Sequence, residues 1–179
     1  MAYTFLAALG VGVGSSRLEP DRVAAAGDLL RAAQERGCRL LLPTDHVVSE
    51  RLEPGAQGRV CGPDVPEGLM GLDIGPATAA RYAAEIDAAA TVLWNGPMGV
   101  FEVPPFDAGT RTVADAVARV AARGGRSVVG GGDTAAAAEA LGVASRMSHV
   151  STGGGASLEL LAGTALPGVA ALSPAAVRA

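Results

Sequence analysis

The sequence predicts an α/β fold with three layers, in which a parallel, Rossmann-like sheet is covered by helices on both faces. Helical and extended segments alternate along the chain, and the extended segments are short apolar runs typical of strands buried on both faces. Glycine-rich turns join several of these strands to helices. The length of 179 residues suits one such domain, so residues 1–179 are expected to form a single domain.

The first half of the chain predicts two helical segments, one strand and a long irregular stretch. Residues Met1–Leu6 read as part of a helix, and a second helix is expected from about Pro20 to Arg36, where apolar residues recur at helical spacing. The apolar run Arg39–Pro43 predicts a buried strand. Residues 49–68 are rich in Gly and Pro and predict a loop or irregular excursion.

The second half predicts a regular alternation of helix and strand joined by short turns. Right-handed crossovers between such strands give a parallel sheet. The expected helices are Pro76–Ala89, Asp107–Arg123, Asp133–Leu141 and Ala156–Ala162, and the expected strands are Thr91–Asn95, Ser127–Gly130 and Ser148–Ser151.

Composition excludes several classes of function. The net charge is −4 and all 14 basic residues are arginine, so there is no basic stripe for nucleic acid, and no nucleic-acid partner is expected. The opening residues form neither a signal peptide nor a membrane span, which predicts a cytoplasmic protein without a membrane partner. Cys38 and Cys61 match no metal or redox spacing and are interpreted as reduced thiols.

Three glycine-rich turns follow successive strands of the predicted sheet: Trp94–Glu102, Gly130–Thr134 and Ser151–Ser157. Because the carboxyl ends of parallel strands share one edge, these turns should converge where open α/β sheets bind ligands. Two of them run directly into helices, whose N-termini offer free N–H groups and partial positive charge to phosphate oxygens. Tight strand-to-helix turns alone could explain one such run, but three on one edge favour phosphate binding.

Two carboxylates extend this hypothesis. Asp133, between a triple glycine and a helix, could be a first-turn carboxylate, but an anion site with its own carboxylate favours Mg²⁺ there. Glu102 could be merely solvated, or could accept hydrogen bonds from ribose hydroxyls. His46 and His149 share no ligand spacing and are interpreted as structural residues.

Taken together, the motifs are similar to those of the phosphoglycerate kinase family. The set covers the chain almost from end to end, in the family's order, and it is specific although each glycine run is generic. The matching segments are Met1–Leu6, Leu72–Pro76, Trp94–Glu102, Gly130–Thr134, His149–Leu161 and Leu166–Val169.

The resemblance implies the nucleotide-binding C-terminal domain of an enzyme that reversibly transfers a phosphoryl group between 1,3-bisphosphoglycerate and ADP in glycolysis. It implies Mg²⁺ as cofactor, held by Asp133 beside Thr134, and ADP or ATP as substrate. Glu102 would meet the ribose. Adenine would pack on Gly71, Leu72, Gly96, Pro97 and Phe101, and the phosphoryl group in transit would be cradled by Gly131 and Gly132 together with catalytic Gly153, Gly154 and Gly155.

The resemblance also implies what these residues lack. The family's N-terminal domain, which alone holds phosphoglycerate, has no counterpart here, nor do the first two strands of the C-terminal domain with their phosphate-neutralising lysines. In the family's strand order, 3-2-1-4-5-6, those strands lie between Arg39–Pro43 and the rest, so bare strand edges and marginal stability are expected. We therefore expect no kinase activity from the chain alone.

Two other functions compete with the kinase interpretation. One is a non-catalytic nucleotide-binding fragment that keeps the Glu102 and Asp133 site with weakened affinity. The other, a nicotinamide-dependent dehydrogenase, is disfavoured because Gly10–Gly14 follows a helix rather than a strand.

Overall fold

The computed structural model describes residues 1–151 and 153–172. Helices and strands alternate along much of the chain, and short 3₁₀ turns lie at Pro20–Arg22 and Ala144–Arg146. The helices are α1 (Ala2–Ala8), α2 (Val23–Glu35), α3 (Pro76–Ala88), α4 (Ala108–Ala122), α5 (Gly132–Ala140), α6 (Gly154–Leu161) and α7 (Pro167–Ala170). The strands are β1 (His46–Ser49), β2 (Arg59–Cys61), β3 (Met70–Ile74), β4 (Thr91–Asn95), β5 (Arg126–Gly130) and β6 (His149–Ser151).

A parallel sheet in the order β4-β5-β6 forms the centre of the second half. Thr91 pairs with Arg126 at one end of β4 and Asn95 with Gly130 at the other, so β4 and β5 end together. Ser151 of β6 pairs with the same Gly130. The three carboxyl ends therefore share one edge, as predicted, and the α/β class with a helix-flanked parallel sheet is confirmed.

A second sheet, in the order β2-β1-β3, is antiparallel and was not predicted. Residues 49–68 are not irregular throughout, because Arg59–Cys61 forms β2 and pairs with β1, and the prediction of a loop there is wrong in part. The signal was weak because β2 has only three residues and two of them are exposed. Long-range pairing, rather than an alternating pattern, makes this segment a strand.

The predicted strand Arg39–Pro43 is absent, and that prediction is wrong. An apolar run becomes a strand only when it is hydrogen-bonded to a neighbouring strand, and neither of the two described sheets includes this segment. The Tyr82 hydroxyl instead donates to the Leu41 carbonyl at 2.9 Å. An apolar groove of about 390 Å³ is lined by Leu41 and by Val92–Asn95 of β4, among other residues.

The main core forms where α3, α4 and α5 pack around β4 and β5. Helix α4 supplies the largest share, four of the eleven buried residues, since one face of the helix carries small and β-branched residues that allow close approach to α3. Trp94 and Val129 bring the sheet into the same cluster, 4% and 0% exposed. The α4 residues of this cluster are Val113, Ala114, Val117 and Ala118.

Helix α3 begins with a cap supplied from a distant segment. Pro76 occupies its first turn, where a missing N–H costs nothing. The Asp45 carboxylate accepts hydrogen bonds from the backbone N–H groups of Ala77 at 2.9 Å and Thr78 at 2.7 Å. Burial opposes ionisation of Asp45, but the hydrogen bond from the Thr78 hydroxyl and these two backbone bonds together hold the pKa of Asp45 below its usual value.

In the described part of the chain, no helix combines the length and apolar character needed to cross a membrane.

The open edge of β4 generates a prediction about self-association. Among the described residues, β4 pairs with β5 on one side and with no strand on the other, and its Leu93 is 36% exposed. We expect Leu93→Lys to reduce concentration-dependent light scattering, because a charged side chain opposes strand addition at an edge. Leu160→Lys on α6, at a residue 63% exposed, adds the same charge away from the sheet and serves as control. Equal scattering of both variants would contradict this prediction. A sharp unfolding transition of the wild-type monomer at high temperature would contradict the marginal stability that the sequence predicts.

Candidate functional site

The glycine turns that follow β4, β5 and β6 meet in one cavity of about 400 Å³. It lies at the carboxyl edge of the parallel sheet, because Asn95 ends β4 and Gly131 directly follows β5. The lining residues are Asn95, Gly96, Gly131, Gly132, Asp133, Thr134, Gly154, Gly155 and Leu158. We call this the glycine cavity.

The second and third turns touch each other through their backbones. A Cβ atom placed on Gly154 would lie 2.6 Å from the Cα of Gly131, so no side chain fits there. Gly131 also has a φ of 94°, which L side chains rarely adopt. Its N–H donates to the Ser151 carbonyl at 3.1 Å, which fixes the two turns together.

Two helices begin at this contact. Helix α5 starts at Gly132 and α6 at Gly154, and the first N–H groups of each helix have no partner within the helix. The partial positive charge of both N-termini is therefore concentrated at the glycine cavity. Such a place suits an anion with several oxygens, of which phosphate is the common example.

Among the residues that the structure describes, Asp133 is the one acidic residue that lines the glycine cavity. It lies exposed in the first turn of α5. No group of three or more His, Cys, Asp or Glu residues capable of holding a metal occurs in the described parts of the chain. A hard cation such as Mg²⁺ fits a single carboxylate only if phosphate oxygens and water supply its remaining ligands. The residues thus suit a metal that arrives with a phosphate rather than a resident ion.

Thr134 joins the first turn to α5. Its side chain is 1% exposed, and its Oγ1 accepts the Gly96 N–H at 2.6 Å. Gly96 has a φ of 104°, and its carbonyl accepts the indole N–H of Trp94 at 2.8 Å. Both backbone polar groups of Gly96 are therefore held by side chains.

A second cavity, of about 460 Å³, lies beside β3 and the first turn. It is lined by Gly71, Leu72 and Pro97 among others. We call this the β3 cavity. Tyr3 fills the space that a side chain at Gly71 would need, since a Cβ there would lie 1.6 Å from the Tyr3 hydroxyl oxygen.

His46 supports this wall of the β3 cavity. Its Nδ1 lies 3.3 Å from the Tyr3 hydroxyl and its Nε2 lies 3.2 Å from the Pro63 carbonyl, which matches the structural role expected for it. Burial lowers the pKa of His46 and raises the pKa of Tyr3 to about 12, so both are neutral near pH 7.

The structure brings most of the predicted site residues together, but not all. Gly96, Gly131, Gly132, Asp133, Thr134, Gly154 and Gly155 line the glycine cavity, and Gly71, Leu72 and Pro97 line the β3 cavity. Gly153 precedes α6 and adjoins Gly154, whereas Thr152 of the same turn lies outside the described residues. Phe101 packs half-buried against the main core. Glu102 is exposed and is not among the residues that line either cavity, so its contact with ribose stays a prediction.

Three residues of the site region were not singled out from the sequence. Asn95 lines the glycine cavity, and its position as the last residue of β4 was the available signal. Asp73 and Thr110 are buried, 2% and 0% exposed, and each accepts hydrogen bonds from backbone N–H groups of another segment. No local pattern marks such contacts.

Asp73 joins the end of β3 to the start of α4. Its Oδ2 accepts the Gly109 N–H at 2.7 Å, and its Oδ1 accepts the Ile74 N–H at 2.8 Å. Side chains at Gly99 or Gly109 would collide with this carboxylate, since a Cβ at either would lie 2.4 Å from Oδ1. Burial raises the pKa of Asp73 to about 6, although both hydrogen bonds act in the opposite direction.

These features define an α/β protein with a glycine-lined cavity at the carboxyl edge of its parallel sheet, where such sheets bind ligands. The profile of one family, phosphoglycerate kinase, matches residues 1–164. The chain belongs to the phosphoglycerate kinase family.

Relatives of known sequence and structure agree with this assignment. The chain is 58% identical over 176 residues to a phosphoglycerate kinase of Chloroflexus aurantiacus, covering 98% of this chain and 44% of that protein. It is 47% identical to phosphoglycerate kinase 3, cytosolic, of Arabidopsis thaliana, with the same coverage of 98% and 44%. The chain thus spans less than half the length of these relatives.

Solved structures confirm the predicted fold class. The structure of phosphoglycerate kinase from Coxiella burnetii superposes with a TM-score of 0.88 at 42% identity, covering 94% of this chain and 43% of that one. Phosphoglycerate kinase from Pyrococcus horikoshii gives a TM-score of 0.78 at 29% identity, covering 96% and 42%.

The buried carboxylate of Asp73 predicts a measurable pH dependence of stability. Above about pH 6 the folded state holds a buried charge that the unfolded state holds in water, whereas below about pH 4 Asp73 is neutral in both states. The raised pKa therefore destabilises the fold at neutral pH, and this penalty is relieved as the pH falls. Relative to Asp73→Asn, which does not titrate, the wild type should gain about 2 to 3 kcal/mol in unfolding free energy between about pH 7.5 and 4. Urea unfolding at both pH values measures this, and a difference independent of pH would contradict it.

Proposed function

We propose that this chain is the nucleotide-binding half of a phosphoglycerate kinase, which holds Mg-ADP or Mg-ATP for reversible phosphoryl transfer with 1,3-bisphosphoglycerate. The observation that carries the proposal is the glycine cavity. Two helix N-termini and one carboxylate line a cavity in which five of the nine lining residues are glycine. Membership of the family supports the identity of the nucleotide and of the reaction.

The phosphate groups would be bound mainly by backbone N–H groups. Gly131 and Gly132, with catalytic Gly153, Gly154 and Gly155, would surround the phosphoryl group. The two turns can lie this close because Gly131 and Gly154 carry no side chains. Fixed amide dipoles of this kind stabilise developing charge without reorganising during the reaction. Mg²⁺, when bound, neutralises charge on the phosphate oxygens, and Asp133 would hold it.

The base and sugar would extend from the glycine cavity towards the β3 cavity. Gly96 and Pro97 are consecutive residues, and Gly96 lines the first cavity while Pro97 lines the second. A nucleotide that lies along this turn would place its adenine on Gly71 and Leu72. Phe101 would support the turn from the core, and Glu102 would meet the ribose hydroxyls.

The proposal predicts Mg²⁺-dependent binding of ADP through Asp133. Titration calorimetry of the wild-type chain with ADP should give a dissociation constant that tightens when Mg²⁺ is added. Asp133→Asn should remove most of that tightening, a loss of roughly tenfold or more in affinity, because a neutral amide does not replace a carboxylate ligand of a hard cation. Glu139→Gln, on the exposed side of the same helix, removes an equal charge away from the cavity and should bind as the wild type does.

Two outcomes would contradict nucleotide binding of this kind. Binding of NADH in preference to Mg-ADP would instead support a dehydrogenase. Equal loss of affinity in both variants would assign the effect to net charge rather than to a metal ligand.

We further propose that these 179 residues do not catalyse the transfer alone. In-line transfer needs both substrates held together, and the chain spans 44% of its Chloroflexus relative. The sequence contains no lysine to neutralise the nucleotide phosphates. The remaining function would be that of a non-catalytic nucleotide-binding fragment, and the cytoplasm is the proposed compartment, as the name of the Arabidopsis relative supports.

A coupled spectrophotometric assay checks the absence of activity. With 3-phosphoglycerate and Mg-ATP, the purified chain should give no turnover above background, because no part of it is proposed to hold phosphoglycerate. An intact phosphoglycerate kinase in the same assay serves as the positive control. Turnover near that of the intact enzyme would overturn this part of the proposal.

A further inference from the structure

Thr110 links the start of α4 to the turn that follows β4. Its side chain is fully buried, and its Oγ1 accepts hydrogen bonds from the backbone N–H groups of Met98 and Gly99, both at 3.1 Å. A hydroxyl oxygen has two lone pairs, and both are directed by these contacts into one turn. The turn receives further support from β3, whose Leu72 carbonyl accepts the Val100 N–H at 2.8 Å.

The amides that Thr110 holds belong to the wall of the β3 cavity. Pro97, Met98 and Gly99 line that cavity, while Thr110 is not among the lining residues of either cavity. Thr110 can therefore influence a ligand only through the backbone that it fixes. The position of Thr110 is itself fixed, because the Asp73 carboxylate at the end of β3 accepts a hydrogen bond from the N–H of the neighbouring Gly109.

We propose that Thr110 is a positioning residue for nucleotide binding, whose hydroxyl holds the turn 96–99 in its binding geometry before the ligand arrives. The proposal rests on the proposed nucleotide function. The turn is held at one end by Thr134 at Gly96 and at the other by Thr110 at Met98 and Gly99. Release of one end lets the turn move away from the geometry that the base requires, and the ligand must then restore it at a cost in affinity.

Three substitutions separate this role from general stabilisation. Thr110→Val keeps the shape of the side chain but removes the acceptor, so two buried N–H groups lose their partner. Thr110→Ser keeps the oxygen. Thr112→Val is the matched control on the same helix, since the exposed Thr112 hydroxyl donates to the Ala108 carbonyl and touches no part of the turn.

The affinity for Mg-ADP is measured by ¹⁵N-glycine chemical-shift titration, well below the unfolding temperature of each variant. Thr110→Val should raise the dissociation constant roughly five- to tenfold, whereas Thr110→Ser and Thr112→Val should stay within about twofold of the wild type. A purely stabilising role would lower the unfolding temperature of Thr110→Val without changing this affinity. Equal affinity of Thr110→Val and the wild type would overturn the positioning role and leave the nucleotide function intact.

Amide hydrogen exchange tests the hydrogen bonds from Met98 and Gly99 to Thr110 in the absence of nucleotide. In the wild type, this test needs no substitution. In the free wild-type chain, the Met98 and Gly99 amides should be protected, and Thr110→Val should accelerate their exchange while Thr112→Val does not. Rapid exchange of both amides in the wild type would overturn the proposal even if Thr110→Val fails to fold. Failure of the wild type to bind Mg-ADP at all would contradict the nucleotide function itself, and the positioning role with it.

Discussion

The contact between the backbones of Gly131 and Gly154 is the constraint on which the candidate site depends. It brings the turns after β5 and β6 within van der Waals distance and so sets the N-termini of α5 and α6 side by side. Any side chain at Gly154 would separate the two helix starts. The glycines therefore do more than allow turns, because they fix how closely two partial positive charges can approach one ligand.

The electrostatics of the glycine cavity follow from this arrangement. The chain has no lysine, and no arginine of the described residues lines the glycine cavity; Arg119, for example, pairs with Asp87 at 2.8 Å and Arg146 with Asp115 at 3.1 Å. Attraction for an anion in the cavity thus comes from peptide dipoles, while Asp133 opposes it until a cation intervenes. A site of this composition would favour a complex of metal and phosphate over either component alone, which is one reason for proposing a magnesium nucleotide as the ligand.

Much of the parallel half could be predicted from the sequence, because its determinants are local. Apolar runs of five residues, glycine stops and helical spacing placed β4, α3 and α4 within one residue of their observed bounds. The failures share a physical cause. Arg39–Pro43 has the composition of a buried strand but no neighbour to pair with, and β2 has a neighbour but little strand-like composition. In both cases, hydrogen bonding to a strand that is distant in the sequence, or its absence, decided whether the segment became a strand.

The candidate site likewise contains residues that could be predicted from the sequence and residues that could not. Gly131, Gly132 and Asp133 were predictable because the turns that carry them follow strands of a parallel sheet. Thr110 and Asp73 were not, since their hydrogen bonds reach backbone groups 11 to 36 residues away. Buried polar side chains of this kind become visible only when the partners of each N–H group are known.

The cap that Asp45 provides for α3 has a consequence for cooperativity. Asp45 directly precedes β1 of the antiparallel sheet, whereas α3 packs on α4 beside the parallel sheet. Loss of the antiparallel sheet would release Asp45 and leave the first N–H groups of α3 without their acceptor. We therefore expect the cap to couple the two sheets, so that local opening at β1 also weakens the start of α3.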